Sequence, residues 1–170
     1  LSSAQHVPTR TLSVGVVQPN VEQAQKWDVA FRQETMARYD RLTAGLGDNL
    51  DLIVWPEAAT PFVFEMEPQY RAVVNDMARR AGAPLLFGSP ALRRHPDGRP
   101  FLLNSAYLLA TDGQILGRYD KQHLVPFGEY IPFGDMLSHV GISAFAAREG
   151  MGYSAGDGAQ NLWIGHLGKV

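Results

Sequence analysis

The chain contains no cysteine. That excludes disulfides and every zinc site built on thiolates. Nor is there a charge excess of either sign: the net charge is −2, which offers no electrostatic footprint for nucleic acid. No apolar run approaches the ~20 residues of a membrane-spanning helix, and no secretory signal pattern opens the chain. Internal repeats, linkers and low-complexity tracts are missing as well. The first residue is Leu1 rather than methionine, so we expect the natural N-terminus to lie upstream. The five histidines (His6, His95, His123, His139 and His166) fall at no helical metal-ligand spacing, which favours solvated or structurally bonded roles and no metal.

What is present is a globular composition, with 45% hydrophobic and 19% charged residues over 170 positions. That length holds one domain with a sizeable core, or a large piece of a bigger one. The chain is organised around Arg118 to Pro132, which joins charged residues and a histidine to Val125, Phe127, Tyr130 and Ile131. Pro126 and Pro132 stiffen this stretch and hold its neighbours extended. Charges beside apolar side chains are costly unless paired, a cost met at working sites and also in structural ion-pair loops.

In chain order, the valine-rich Leu12–Gln18 reads as a buried strand. Asp28 is placed to N-cap a helix reaching Leu46, with Phe31, Thr35, Tyr39, Leu42 and Leu46 on its inner face and Gly45 and Gly47 stopping it. Asp51–Trp55 is a strand apolar enough to be covered on both faces. A second helix starts near Glu67 with Pro68 in its first turn, buries Tyr70, Val73, Val74, Met77 and Ala81, and ends at Gly82. Pro84–Gly88 is the third strand, and His95-Pro-Asp-Gly98 a turn. Phe101–Ala110 and Gln114–Tyr119 form a hairpin about Asp112-Gly113. The order is β-α-β-α-β followed by a meander, an α/β chain with a mixed sheet. Residues 135–160 mix apolar with Gly, Ala and Ser residues and suit a flexible lid or lipid-facing flap. Leu162–Ile164 is a further strand, Gly165-His166 a possible turn, and His166–Val170 the start of another strand.

Glu57 follows the carboxyl end of a buried strand, where ligands and catalytic groups collect in open α/β sheets. A helix-capping or ion-paired glutamate is the competing reading of that position. With Lys121 and Glu129, two carboxylates and a lysine are available as general base, electrostatic stabiliser and orienter of a nucleophile. Because strand and hairpin should end at one rim, the Glu57 and Lys121 head groups are expected within salt-bridge or one-water distance, with Glu129 slightly farther.

Five segments carry a family resemblance. They are Val14-Gly-Val-Val-Gln-Pro-Asn20, Lys26-Trp27-Asp28, Trp55-Pro-Glu-Ala-Ala-Thr-Pro61, Asn104-Ser-Ala-Tyr107 and Tyr119-Asp-Lys-Gln-His-Leu-Val-Pro-Phe-Gly-Glu-Tyr-Ile-Pro132. In that order they resemble the nitrilase-type (carbon–nitrogen hydrolase) domain of bacterial apolipoprotein N-acyltransferases, from about Leu12 onward. The resemblance implies an α-β-β-α sandwich, with residues 1–11 as an N-terminal extension and 12–170 a partial domain, incomplete at the C-terminus. It implies Glu57 as general base, Lys121 as oxyanion-stabilising lysine and Glu129 as a further acidic residue. Trp27, Phe127 and Tyr130 would be the substrate-binding aromatics. No cofactor and no metal are implied. The donor would be a phospholipid and the acceptor a diacylglyceryl-lipoprotein, joined through a thioester at the periplasmic face of the inner membrane. The membrane helices flanking the family's domain are not in this chain, and neither is the family's cysteine. A fragment cut just before the nucleophile is therefore expected to be inactive alone, and to leave a sheet edge or core face uncovered. A soluble nitrilase-type amidase and a non-catalytic binding domain are the alternatives.

Overall fold

The computed structural model describes residues 11–22, 29–126, 129, 152–158, 161–164 and 168–169. Its centre is a mixed sheet in the spatial order β1-β2-β3-β4-β5, built from Val14–Val16, Leu52–Val54, Leu85–Arg94, Pro100–Leu109 and Ile115–Asp120. The first three strands are parallel and the next two antiparallel. β6 (Tyr153–Ser154) lies parallel to β4, and β7 (Trp163–Ile164) pairs with β8 (Gly168–Lys169) as a separate two-stranded ribbon. The helices are α1 (Arg32–Ala44), entered through a 3-10 turn at Val29–Phe31, and α2 (Pro68–Ala81).

Both helices cover one face of the sheet. Met36 and Tyr39 from α1, and Val74, Met77 and Ala78 from α2, pack on Ile53, Trp55, Leu85, Phe87, Leu103, Tyr107 and Leu109. These strand residues are the odd members of each alternating series, as a pleated sheet requires. The even members form a second face, where Leu52, Leu108 and Leu162 are buried with Val54, Leu86 and Tyr119 against them. On that second face Val14 and Val16 remain 45% and 67% exposed, so its cover stops short of β1.

Several expectations needed correction. Leu42 of α1 and Val73 of α2 are exposed, and Thr43 and Ala78 are buried in their place. In α1 the buried stripe shifts by a residue to Thr35, Met36, Tyr39 and Thr43, while α2 keeps Val74 and Met77 and adds Ala78. Asp28, the expected cap, lies outside the described residues; Phe31 holds the N-cap position without a side-chain bond. The third strand does not stop at Gly88 but runs on to Arg94. Pro90 is tolerated because β2 pairs only with Leu85 and Leu86, so no second neighbour requires its missing N–H. The β4–β5 hairpin closes through a three-residue loop about the expected Asp112-Gly113: Ala110 N–H donates to Gln114 O at 2.9 Å, and Gly113 takes φ 86°. Gly165-His166, and most of the expected lid at 135–160, lie outside the described residues.

Tyr39 stacks on Trp55 at 4.4 Å between ring centres, and the Trp55 indole N–H donates to Thr43 Oγ1 at 3.1 Å. This buried bond ties β2 to α1 immediately before Glu57. Thr43→Val keeps the volume but strands the indole N–H, and is expected to cost about 1–3 kcal/mol. Urea denaturation measures it; an unchanged midpoint would mean that the bond does not anchor the strand.

Candidate active site

Glu57 lies three residues beyond the end of β2. Pairing stops after Trp55 N–H meets Leu86 O at 2.8 Å, because Pro56 has no N–H to continue it. The chain then folds back over β3. Ala59 and Thr60 donate to Gly88 O at 2.8 and 3.3 Å, and Gly88 N–H returns a bond to Pro56 O at 3.3 Å. A Cβ on Gly88 would sit 2.4 Å from Ala58 N and 2.8 Å from Glu57 Cα. Glycine is therefore what lets the turn lie directly on the second face of the sheet. Ala58 pays for the crossing with φ 49°, a left-handed conformation costing an alanine about 1 kcal/mol.

Lys121 follows β5 directly, and its N–H donates to Asn104 O at 2.8 Å. β5 runs parallel to β2, since β2 is parallel to β3 and both β3 and β5 are antiparallel to β4, so both carboxyl ends reach the same rim. Lys121 Nζ is 2.9 Å from Glu57 Oε1 and 2.9 Å from Glu129 Oε2. The Asn104 side-chain amide completes the ring, donating to Glu57 Oε1 at 2.6 Å and also to Glu129 Oε1. Glu129 is held further by Val125 N–H, 2.8 Å from Oε2, while its own N–H donates to Val125 O at 2.9 Å. The expectation that Glu129 sits farther than Glu57 is not met: Lys121 bridges the two at equal distances.

The three charged groups differ in access. The Glu57 side chain is 59% exposed and that of Glu129 only 13%. Glu57 is thus open to exchange a proton with a bound molecule, whereas Glu129 is a fixed counter-ion. The hydrogen bond to Glu57 raises the Lys121 ammonium above its ordinary value; burial opposes this and Glu129 adds to it. Burial pulls the Glu129 carboxyl upward, but Val125 N–H, Lys121 and Asn104 together outweigh it and hold the group below its ordinary value. Lys121 therefore stays cationic and Glu129 anionic through the neutral range. One ammonium between two carboxylates leaves a net negative charge that a proton taken up by Glu57 would cancel.

A second ionic chain braces the strand that delivers Lys121. Ser105 Oγ donates to Asp120 Oδ1 at 2.6 Å, and Arg118 pairs with Asp120 at 2.9 Å. Glu65 lies 3.6 Å from Arg118 and 3.0 Å from Arg93. These groups project to the helix-covered side, so adjacent residues Asp120 and Lys121 serve opposite faces. Among the described residues no group of three or more His, Asp or Glu side chains is arranged to hold a metal.

Of the residues singled out from sequence, the structure brings Glu57, Lys121 and Glu129 together, while Trp27, Phe127 and Tyr130 lie outside the described residues. Asn104 and Gly88 were missed as site residues. Asn104 was visible, with Ser105, as a polar residue in a mainly apolar strand, and Gly88 as a glycine inside what proved to be a long one.

A family model described as carbon–nitrogen hydrolase matches residues 13–166. The chain is 42% identical over 139 residues to an apolipoprotein N-acyltransferase from Geobacter metallireducens, covering 79% of this chain and 26% of that relative. It is 40% identical over 154 residues to the protein of that name from Brucella suis, covering 85% and 28%. The chain thus spans little more than a quarter of the curated relatives it matches. Among solved structures, an amidase from Nesterenkonia sp. superposes with a TM-score of 0.58 at 18% identity, covering 96% of this chain and 56% of that one. A carbon–nitrogen hydrolase from Helicobacter pylori superposes with a TM-score of 0.55 at 18% identity, covering 86% and 45%. These two share the fold, an α/β architecture with a mixed sheet.

Two outcomes follow from the site geometry. Gly88→Ala drives a methyl into the backbone of the Glu57 turn and is expected to cost about 1–3 kcal/mol; a melting temperature equal to wild type would mean the turn does not rest on the sheet. Glu129 is depressed in the folded state, so its contribution to stability is present above its unfolded value of about 4.3 and lost as pH falls through the folded value. Glu129→Gln should therefore show a smaller loss of stability between pH 7 and pH 3.5 than wild type. Equal acid sensitivity in urea melts would contradict the assignment.

Proposed function

Because the chain belongs to the carbon–nitrogen hydrolase family, we propose that it is the active-site portion of an apolipoprotein N-acyltransferase working at the periplasmic face of a bacterial inner membrane. The acyl donor is a phospholipid and the acceptor the α-amine of a diacylglyceryl-cysteine on a lipoprotein. The observation that carries this reading is Lys121 Nζ at 2.9 Å from both Glu57 and Glu129, in a chain 36–42% identical to proteins of that name.

The roles follow from position and access. Glu57, the accessible carboxylate, takes the proton of a thiol that this chain does not contain. The thiolate adds to the ester carbonyl, and Lys121 stabilises the oxyanion that develops. As the carbon–oxygen ester bond breaks, Glu57 returns the proton to the departing lysophospholipid oxygen, leaving a thioester. The acceptor amine then attacks the thioester, its proton passes by way of Glu57 to the sulfur, and an amide and free thiol result. Glu129 and Asn104 keep Lys121 and Glu57 in register through both half-reactions. One acyl-enzyme shared by two half-reactions requires ping-pong kinetics.

The test uses the natural protein in detergent with a phospholipid and a diacylglyceryl-cysteine peptide, with the acylated peptide detected by mass spectrometry. Wild type is expected to acylate the peptide and release lysophospholipid, and Glu57→Gln to lower the rate at least 100-fold, the loss of a general base. The 170-residue chain alone, lacking cysteine, is expected to transfer nothing. Hydrolysis of small amides without acylation of the peptide would replace this reading with an amidase, and acyl transfer by the cysteine-free chain would overturn the thioester route.

A further inference from the structure

Directly behind the site, the sheet carries a polar row on its other face. The ladder sets Ser89 opposite Ser105 and Ser105 opposite Asp120, so these three side chains share the helix-covered side. That side is otherwise the aromatic core of Phe64, Phe87 and Tyr107. Ser105 and Asp120 are also the last pair of the β4–β5 ladder before the site. The neighbour of each in the chain serves the opposite face. Asn104 precedes Ser105, Lys121 follows Asp120, and the Lys121 N–H donates to Asn104 O at 2.8 Å.

Polar groups in such a core are costly unless bonded, and each member of this row is. Ser105, only 3% exposed, donates to Asp120 Oδ1 at 2.6 Å, the length of a hydrogen bond to a charged acceptor. Arg118 donates to the other oxygen, Asp120 Oδ2, at 2.9 Å. Glu65 stands 3.6 Å from Arg118, and the segment that carries it is fastened to the same row. Phe64 N–H donates to Ser89 Oγ at 3.3 Å, and Ser89 Oγ donates to Phe62 O at 3.1 Å. Gly156 closes the junction from another direction. Its N–H donates to Lys121 O at 3.0 Å, and a Cβ there would sit 2.4 Å from Asp120 O.

We infer that Ser105 and Asp120 are a positioning pair for Lys121, a side-chain bond behind the sheet that fixes where the ammonium stands in front of it. Asp120 is the last residue of β5, and strand ends fray unless something holds them. The bond to Ser105 ties Asp120 across the ladder, and the bond to Arg118 ties it along its own strand. Together they fix the twist of β5 at the residue before Lys121. That twist decides how Lys121 leaves the sheet, and so brings Nζ between Glu57 and Glu129. Neither residue faces the site; both act through Lys121 and through Asn104. The kinetic role rests on the acyl-transfer reading; the local ordering of Lys121 does not.

The experiment compares wild type, Ser105→Ala, Ser105→Thr and Asp120→Asn in the natural protein, at a temperature below the melting transition of each. Ser105→Ala removes the bond and leaves Asp120 charged. Ser105→Thr restores a hydroxyl, and Asp120→Asn keeps an acceptor while removing its charge. Ser105→Ala is expected to lower kcat about tenfold with KM within about twofold, because a misplaced Lys121 costs rate and not ground-state binding. Asp120→Asn should lose about threefold, and Ser105→Thr should stay within about twofold of wild type. Amide hydrogen exchange, read by mass spectrometry, follows Lys121 without substrate. Ser105→Ala should speed exchange in the peptide containing Asp120 and Lys121 and leave peptides from β3 unchanged. If exchange quickens there while wild type acylates no peptide, the acyl-transfer reading fails and the positioning role stands. Unchanged exchange at Lys121 overturns the positioning role, as does a Ser105→Ala kcat equal to that of an active wild type. Exchange quickened equally across β3 and β4 overturns it too, since the pair would then brace the fold as a whole.

Discussion

A single ammonium shared by two carboxylates is the constraint around which this fold is arranged. Lys121 reaches Glu57 and Glu129 at 2.9 Å each, yet the three residues come from three separate segments. A pair of like charges tolerates such proximity only when a cation and hydrogen-bond donors stand between them. Asn104 supplies donors to both carboxylates, and the Val125 amide supplies one to Glu129. The sheet order makes this possible. Two parallel connections bring β1, β2 and β3 to one rim, and the β3–β4–β5 meander returns the chain to that same rim at Lys121.

The approach of these segments depends on absent side chains as much as on present ones. The Glu57 turn lies on β3 because Gly88 offers no Cβ, and the segment after β6 lies on the Asp120–Lys121 junction because Gly156 offers none. The sheet divides the labour between its faces. The helix-covered side carries the aromatic core of Trp55, Phe64, Phe87 and Tyr107, with the Asp120–Arg118–Glu65 chain beside it. The second side carries the site. Rigidity behind and access in front is the combination a preorganised electrostatic site requires.

Much of this was legible in the residues. Local signals sufficed for α2, whose Pro68 and Gly82 mark its ends, and for the strand leading to Glu57. The meeting of Glu57 with Lys121 was legible because strand direction alone decides which rim each reaches. Other features depend on partners distant in sequence. The run of β3 past Gly88 is fixed by its ten-residue ladder with β4, not by its own composition, which contains Gly88 and Pro90. Leu42 and Val73 are exposed although both fall on the apolar stripe, because helical periodicity alone does not fix how far that stripe is covered. Asn104 acquires its meaning only when Glu57 and Glu129, 47 and 25 positions away, are folded onto it.

The central claim is that Glu57 and Lys121 act as one unit, not as two independent contributors. A double-mutant cycle on kcat/KM in the natural protein, using Glu57→Gln, Lys121→Met and the combination, tests it most directly. The account predicts strong non-additivity, with the double variant within about threefold of the poorer single variant. Losses that multiply, each substitution costing as much in the presence of the other as alone, would contradict it.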